Sequence, residues 1–144
     1  MTQQPHSTTA RGVAILGLVL AGAALLLVVV AVQMLFARSS ASTRDLRRLT
    51  DMREAETLFQ RLYRATGSYG AAAQDGCATE GSALAACNAV RIGGSFRHLT
   101  DPRGGPYRVT TPPSDIGFAV SFVLEKSYGT LAAGEHVLTQ EGIR

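Results

Sequence analysis

Residues 44–70 read RDLRRLTDMREAETLFQRLYRATGSYG, and the spacing of the apolar side chains within them decides the fold. Apolar residues recur every three or four positions, which places them on one face of a helix. We call this face the packing stripe, and it comprises Leu46, Leu49, Met52, Ala55, Phe59 and Leu62. The helix is predicted to end near Thr66, because Gly67 can adopt the left-handed conformation that closes a helix. Such a helix needs another element to cover its stripe.

The chain that precedes this stretch is apolar. Residues 12–37, GVAILGLVLAGAALLLVVVAVQMLFA, contain no charged side chain. As a helix they would extend roughly 39 Å, which exceeds the ~30 Å hydrocarbon core of a bilayer. The run is also longer than the about 7 to 15 apolar residues of a secretory signal peptide. The sequence therefore predicts a membrane-spanning segment, with a buried core helix as the alternative.

Arginines follow the apolar run closely, in a chain whose formal net charge is +3. Five of them lie within a short distance of it: Arg38, Arg44, Arg47, Arg48 and Arg53. We interpret them as contacts for anionic lipid headgroups, each worth about 1 kcal/mol, and do not expect nucleic acid as a partner. Arg47 and Asp51, four residues apart on the face opposite the packing stripe, are predicted to form a weak ion pair.

The two cysteines, Cys77 and Cys87, carry the next expectation. No histidine or further cysteine lies at the spacing of zinc ligands, so a zinc site is not expected. A disulfide between them would close a short loop and stabilise the fold by about 2.7 kcal/mol. Such a bond requires an oxidising compartment outside the cytoplasm, whereas the arginines after the span favour a cytoplasmic domain. Two free thiols are the alternative.

Towards the C-terminus the period of the apolar residues changes from that of a helix to that of a strand. Residues 107–110 are short and β-prone, residues 118–124 alternate between large and small side chains, and residues 136–139 form a third candidate strand. Pro112, Pro113 and Asp115 mark a turn between the first two.

The predicted fold class is α+β, a long N-terminal helix with a small antiparallel sheet packed on its C-terminal half. We expect a polar leader at residues 1–12, a helix at residues 13–65 and a small globular domain at residues 66–144. Within this last part, residues 82–89 could form a short helix.

A turn rich in proline and glycine, DPRGGPY at residues 101–107, precedes the first strand. Proline fixes φ and glycine permits left-handed backbone, so the stretch is predicted to reverse the chain. The ring of Tyr107 would then begin the strand and pack on the helix. The turn residues are Asp101, Pro102, Gly104, Gly105, Pro106 and Tyr107.

Together these features resemble the superfamily of type IV pilins and type II secretion pseudopilins. The junction ARG at residues 10–12 is similar to the end of a prepilin leader, which implies cleavage between Gly12 and Val13. The uncharged run that leads into an amphipathic helix is similar to the pilin spine. DPRGGPYRV at residues 101–109 resembles the Asp-Pro-x-Gly-x-Pro-Tyr turn of major pseudopilins, and SFVLEK at residues 121–126 resembles the strand that often follows.

The resemblance implies a filament subunit with its C-terminal domain outside the cytoplasm. Its partners would be other pilin-like subunits, membrane lipid, a prepilin peptidase and an assembly platform. The family has a glutamate at the fifth position after the cleavage site, where this chain has Gly17. This difference favours a minor subunit, or an uncleaved, signal-anchored envelope binding module that does not polymerise. A cytoplasmic regulatory domain on an anchor is a third reading, carried by the arginines alone.

The sequence contains no recognisable catalytic constellation. His98 and Asp101 could act as a base and its orienting group, but no serine or cysteine lies in the context of a nucleophile. The acidic loop residues lack the spacing of a calcium loop; they are Asp75, Glu80, Asp101 and Asp115. We therefore expect a structural protein, with no enzymatic activity, no cofactor and no metal.

Overall fold

The computed structural model describes the backbone of residues 8–144, and it describes side chains from residue 22 onward except at positions 35–39 and 75. The chain divides into two compact units, Met1–Ser40 and Ala41–Arg144. Helix α1, Thr8–Thr66, contributes residues to both. It covers the predicted range of residues 13–65 and includes positions 8–12 of the expected leader, whereas positions 1–7 lie outside the described residues.

In the first unit, the described side chains at residues 22–34 are all exposed. Eight large apolar residues among them are between 42% and 72% exposed: Leu25, Leu26, Leu27, Val28, Val29, Val30, Val32 and Met34. Among the side chains that are described, no helix is both long and apolar enough to cross a membrane. Residues 12–37 were predicted to span the membrane. The side chains of residues 12–21 and 35–37 within that segment are outside the described residues.

The second unit joins the end of α1 to short helical turns and a sheet, so its fold class is α+β as predicted. A 3₁₀ helix of about two turns occupies Tyr69–Asp75, and single 3₁₀ turns occupy Leu84–Ala86 and Val90–Ile92. The strands are β1 Arg108–Thr111, β2 Ala119–Leu124, β3 Gly134–Thr139 and β4 Gly142–Ile143. The short helix expected at residues 82–89 is only the turn at Leu84–Ala86.

The four strands form one antiparallel sheet in the order β1-β2-β3-β4. The central pair is in regular register from Ala119 opposite Thr139 to Leu124 opposite Gly134. Three strands were predicted from the sequence, but β4 was not, because a strand of two residues has no period to detect. The outer edge of β1 pairs with the segment 81–84, where Val109 exchanges backbone hydrogen bonds with Gly81 and Ser82.

The core lies between α1 and one face of the sheet. Phe118, Val120, Phe122 and Leu124 point into it and are at most 3% exposed. The ring of Phe59 stacks on Phe118 at 3.9 Å between centroids. Five members of the packing stripe are buried: Leu49, Met52, Ala55, Phe59 and Leu62.

Leu46 was wrongly placed in the packing stripe, because it is 50% exposed. The buried positions at this end of the helix belong instead to Asp45 and Arg48, which are 2% and 3% exposed. At the other end, Gly67 closes α1 as predicted. Its φ is +77° and its N–H donates to the carbonyl of Tyr63 at 2.7 Å.

Candidate functional site

Charged and polar side chains from α1, from the proline–glycine turn and from the end of β2 meet at one end of the second unit. We call them the helix–turn cluster. They are Arg44, Asp45, Arg48, Asp51, Asp101, Arg103, Tyr107 and Glu125. Asp45 and Arg48 are in phase with Met52, Ala55 and Phe59, so the helix presents its charged residues on the same face as its core residues.

Arg48 is the centre of the cluster. Its Nε and Nη2 atoms donate to the two carboxylate oxygens of Asp101, at 2.6 and 2.9 Å. Its Nη1 atom donates to Asp45 and to Glu125, at 2.8 Å in each case. A planar guanidinium suits such a bidentate contact, which fixes direction as well as distance. One buried side chain thus joins three segments that are far apart in the sequence.

Glu125 also accepts hydrogen bonds from the other two arginines of the cluster, Arg44 and Arg103. Arg44 donates to both of its oxygens at 2.7 and 2.6 Å, and Arg103 adds a contact at 2.6 Å. The hydrogen bonds from Arg44, followed by those from Arg48, lower the pKa of Glu125 to about 2, although partial burial acts in the opposite direction. The hydrogen bonds from Arg48 also lower the pKa of Asp101. Both carboxyl groups are therefore held in the charged form.

Asp45 ties the end of β2 to the helix. Its two carboxylate oxygens accept the backbone N–H groups of Glu125 and Lys126, at 3.0 and 2.9 Å. These donors follow the last residue of β2, where the ladder no longer satisfies them. The side chain of Asp45 thus accepts the hydrogen bonds that a neighbouring strand would otherwise accept. It also positions Glu125 for its arginine contacts.

Tyr107 attaches the first strand to the helix by its hydroxyl group. The hydroxyl donates to Asp51 Oδ2 at 2.9 Å, and both residues are buried. Burial, followed by the hydrogen bond to Asp51, raises the pKa of Tyr107 well above its ordinary value. Arg47 donates to the other oxygen of Asp51 at 3.2 Å, so the ion pair predicted from their spacing is confirmed. Asp51 was predicted to lie on the face opposite the packing stripe, but its side chain is buried.

The turn at residues 101–107 forms a closed loop that presents Asp101 to the helix. The N–H of Asp101 donates to the carbonyl of Gly105 at 2.9 Å, and that of Gly104 donates to the carbonyl of Asp101 at 2.8 Å. Gly104 has a φ of +91°, which explains the glycine. The N–H of Arg103 donates to Asp101 Oδ1 at 2.8 Å and helps to orient the carboxylate towards Arg48.

The arginines after the apolar run, interpreted from the sequence as lipid contacts, lie in different environments. Arg48 is buried in the cluster and is not accessible to lipid, and the guanidinium of Arg44 is engaged by Glu125. Arg47 is 62% exposed but paired with Asp51. Arg53 is exposed, and the side chain of Arg38 lies outside the described residues. The sequence pattern could not separate paired arginines from free ones.

Cys77 and Cys87 form a disulfide, with 4.9 Å between their Cα atoms. Both sulfur-bearing side chains belong to the core, at 0% and 5% exposed. The Cys77 sulfur also lies 3.4 Å from the carbonyl oxygen of Ala72. The bond therefore holds the 3₁₀ helix at Tyr69–Asp75 and the segment after Leu84 against the same core.

The other candidate chemical groups are dispersed. His98 Nε2 lies 2.9 Å from Glu54 Oε1 and does not pair with Asp101, whose carboxylate is taken by Arg48. Among the side chains described, no three of the His, Cys, Asp and Glu type come together as metal ligands do. Gly12 and Val13, the expected cleavage site, carry no described side chains, and Asp75 is outside the described set as well.

Comparisons of the chain with protein-family models, with curated proteins and with solved structures found no match. The pilin resemblance therefore stays a hypothesis carried by the residues themselves.

Proposed function

We propose that this chain is a structural subunit of a type IV pilus-like or pseudopilus filament, anchored in the membrane by its N-terminal helix before assembly. The observation that carries the proposal is the apolar surface of α1 at residues 25–34. Successive helical residues are rotated by about 100°, so the uninterrupted run from Leu25 to Val30 exposes apolar side chains in every direction.

A helix that is apolar on all sides is stable in lipid or among other apolar helices, but not in water. A filament with a central helix bundle satisfies this requirement after the subunit leaves the bilayer. Small residues beside the apolar run would let such helices approach closely; they are Gly22, Ala23 and Ala24. The apolar surface of α1 would thus face lipid before assembly and other helices in the filament.

The helix–turn cluster supports the same function in a different way. A filament subunit must present its globular part in one orientation relative to the helix segment that carries it. Arg48 and Asp45 bind the turn and the end of β2 directly to α1 within the second unit. Directional contacts of this kind restrict rotation of the sheet on the helix more than apolar packing does.

The alternative function is an uncleaved, signal-anchored envelope binding module. Gly17, at the position where the family has glutamate, favours it, because that acid is absent from the helix proposed to assemble. This alternative needs the same apolar helix and the same disulfide-bonded domain. It differs in having no leader cleavage and no contact between helices of neighbouring subunits.

The intact mass of the protein, extracted from its native membrane without reductant, tests leader processing. The filament proposal expects a chain that lacks residues 1–12 and is lighter by the hydrogens lost on disulfide formation. A full-length chain with the disulfide favours the envelope module. A full-length chain with both thiols free would contradict both and support a cytoplasmic domain.

Cysteine cross-linking tests assembly directly. The double variant Leu25→Cys/Val30→Cys places thiols on nearly opposite sides of the helix, about 140° apart. In a helix bundle, oxidation should give a ladder that extends beyond dimers. The matched control, Ile116→Cys/Val123→Cys, places two thiols at exposed positions of the second unit. Monomers alone from both variants in the native membrane would contradict the filament.

A further inference from the structure

The solvent face of α1 in the second unit carries arginines that have no carboxylate partner among the described residues. Arg53, Arg61 and Arg64 are exposed, and none of their guanidinium groups forms an ion pair or hydrogen bond with any of those residues. From helical geometry they fall within about 80° of arc and span about 16 Å along the axis. They form a row directly opposite the buried face.

A fourth exposed arginine, Arg97, belongs to a segment that contacts the same helix. Phe96 contacts Phe59 with 4.8 Å between ring centroids, and His98 bonds to Glu54 at 2.9 Å. Arg97 lies between these two anchored residues and is exposed, but it lines a pocket with residues 85–90 and is not part of the row. We call Arg53, Arg61 and Arg64 the basic face.

The basic face differs from the arginines elsewhere in the unit. Arg44, Arg48 and Arg103 are neutralised by the acids of the helix–turn cluster. Arg144 pairs with Glu141. Of the exposed arginines that have no carboxylate partner among the described residues, Arg53, Arg61 and Arg64 lie together on the solvent face of α1, whereas Arg91, Arg97 and Arg108 lie elsewhere in the unit.

We propose that the basic face binds the phosphate backbone of double-stranded nucleic acid without reading its sequence. A guanidinium with free N–H groups matches the oxygens of a phosphate. A row of about 16 Å corresponds to roughly five base pairs of duplex rise. The inference uses only the second unit, so it stands or falls independently of filament assembly.

The surroundings of the row favour this partner over others. Thr50 and Thr57, which lie along it, direct their hydroxyl groups back to helix carbonyls, and no large apolar residue interrupts it between Arg53 and Arg64. A protein partner usually needs an apolar centre, and single-stranded nucleic acid needs aromatic rings for stacking. Glu54 and Glu56 border the row and should weaken the binding.

Nucleic acid was not expected as a partner from the sequence, where only the arginines at residues 38–53 were considered as a possible binding group. The structure engages Arg44, Arg47 and Arg48 of that group in internal ion pairs. Only Arg53 belongs both to that group and to the basic face.

Fluorescence anisotropy of a labelled 20-base-pair duplex tests the proposal with the full chain in uncharged detergent micelles. Non-specific binding with a Kd on the order of 10⁻⁶ to 10⁻⁴ M is expected near physiological salt, with a log–log salt slope no steeper than about −2.7 for three phosphate contacts. The triple variant Arg53→Gln/Arg61→Gln/Arg64→Gln should bind at least about tenfold more weakly.

Two further variants separate the basic face from net charge. Arg91→Gln/Arg108→Gln/Arg144→Gln removes the same charge from exposed arginines elsewhere and should change the Kd less than about threefold. Glu54→Gln removes a bordering acid and should tighten binding about two- to fivefold. A gain of affinity is not expected from a residue whose role is only structural.

Three results would overturn the proposal. They are the absence of salt-sensitive binding to the duplex at low salt, an equal loss of affinity in both triple variants, and tighter binding to anionic vesicles than to the duplex. The last result would assign the basic face to a lipid surface. Circular dichroism of every variant establishes that a loss of binding does not come from unfolding.

Discussion

The two ends of the buried face of α1 pack against the rest of the domain by different chemistry. At one end Phe59 lies among Phe96 and Phe118, and at the other Arg48 lies among Asp101, Asp45 and Glu125. The helical period is the same at both ends. Apolar burial stabilises without specifying direction, whereas a bidentate guanidinium contact stabilises only in one arrangement.

This difference shows that burial and hydrophobicity are separate properties of a helix face. The apolar end should tolerate substitutions that conserve volume, because packing there is non-directional. The charged end should not tolerate the loss of one partner, because the opposite charges would remain partly buried and uncompensated. Five experiments test this difference between the two ends.

The largest effect is expected at the apolar end. Phe59→Ala removes a fully buried ring and should lower the free energy of unfolding by about 3 to 5 kcal/mol. The loss should not depend on salt concentration, because no charge is involved. Urea unfolding of the full chain in detergent, monitored by near-ultraviolet circular dichroism, measures it. A loss below about 1 kcal/mol would show that the ring is not central to the core.

The charged end should respond almost as strongly. Arg48→Met should cost about 3 kcal/mol, near the lower end for a broken buried pair, because Asp101 and Glu125 are partly exposed. The same unfolding assay, repeated at low and high salt, measures it. Arg47→Met is the control, since Arg47 is 62% exposed and should contribute less than about 1 kcal/mol. Equal losses in the two variants would contradict the cluster.

The disulfide belongs to neither end and should have an intermediate effect. Replacing Cys77 and Cys87 by alanine should lower the free energy of unfolding by about 2.7 kcal/mol, because the unfolded chain regains the freedom of the loop. Reduction of the unmodified chain should reproduce the change. A variant as stable as the original chain would show that the loop is already ordered in the unfolded state.

Acid should weaken the charged end alone. The pKa of Glu125 is lowered to about 2 in the folded chain, so its contribution is complete above the ordinary glutamate pKa and is lost as pH falls towards 2. The urea midpoint should therefore decrease between about pH 5 and pH 2. Glu125→Gln should flatten this decrease, whereas Glu141→Gln, an exposed control, should not. Identical pH profiles for both would exclude Glu125 as the cause.

The smallest effect is expected at the boundary between the two ends. Tyr107→Phe keeps the buried ring and removes one hydrogen bond to Asp51, which retains Arg47 as a partner. The loss should be about 1 kcal/mol in urea unfolding. A loss above about 3 kcal/mol would mean that the hydroxyl is essential to the cluster.

The apolar parts of the fold were predictable because burial leaves a period in the sequence. The stripe from Leu49 to Leu62, the alternation from Phe118 to Leu124 and the end of α1 at Gly67 are all read from neighbouring residues. The prediction for Leu46 was wrong because Asp45 and Arg48 occupy the buried positions at this end of the helix. Apolar residues therefore no longer mark the buried side there.

The helix–turn cluster was not predictable from local pattern. Arg48 and Asp101 are 53 residues apart in the sequence, and Arg44 and Glu125 are 81 residues apart. No periodicity indicates which charges pair across such a distance. One signal was present, since Asp45 and Arg48 occupy positions in phase with Met52 and Phe59. A charged residue at a core position of an amphipathic helix indicates a buried partner.

The segment at residues 81–84 gives the sheet two unequal borders. Along β1, Val109 already uses its backbone N–H and carbonyl on the outer side, with Ser82 and Gly81. At the opposite border, β4 pairs with only the last part of β3, opposite Leu138 and Thr139. A foreign strand that approached the outer side of β1 would have to displace the segment 81–84, since the backbone groups of Val109 are already hydrogen-bonded there. The β1 border of the sheet is therefore protected against strand addition.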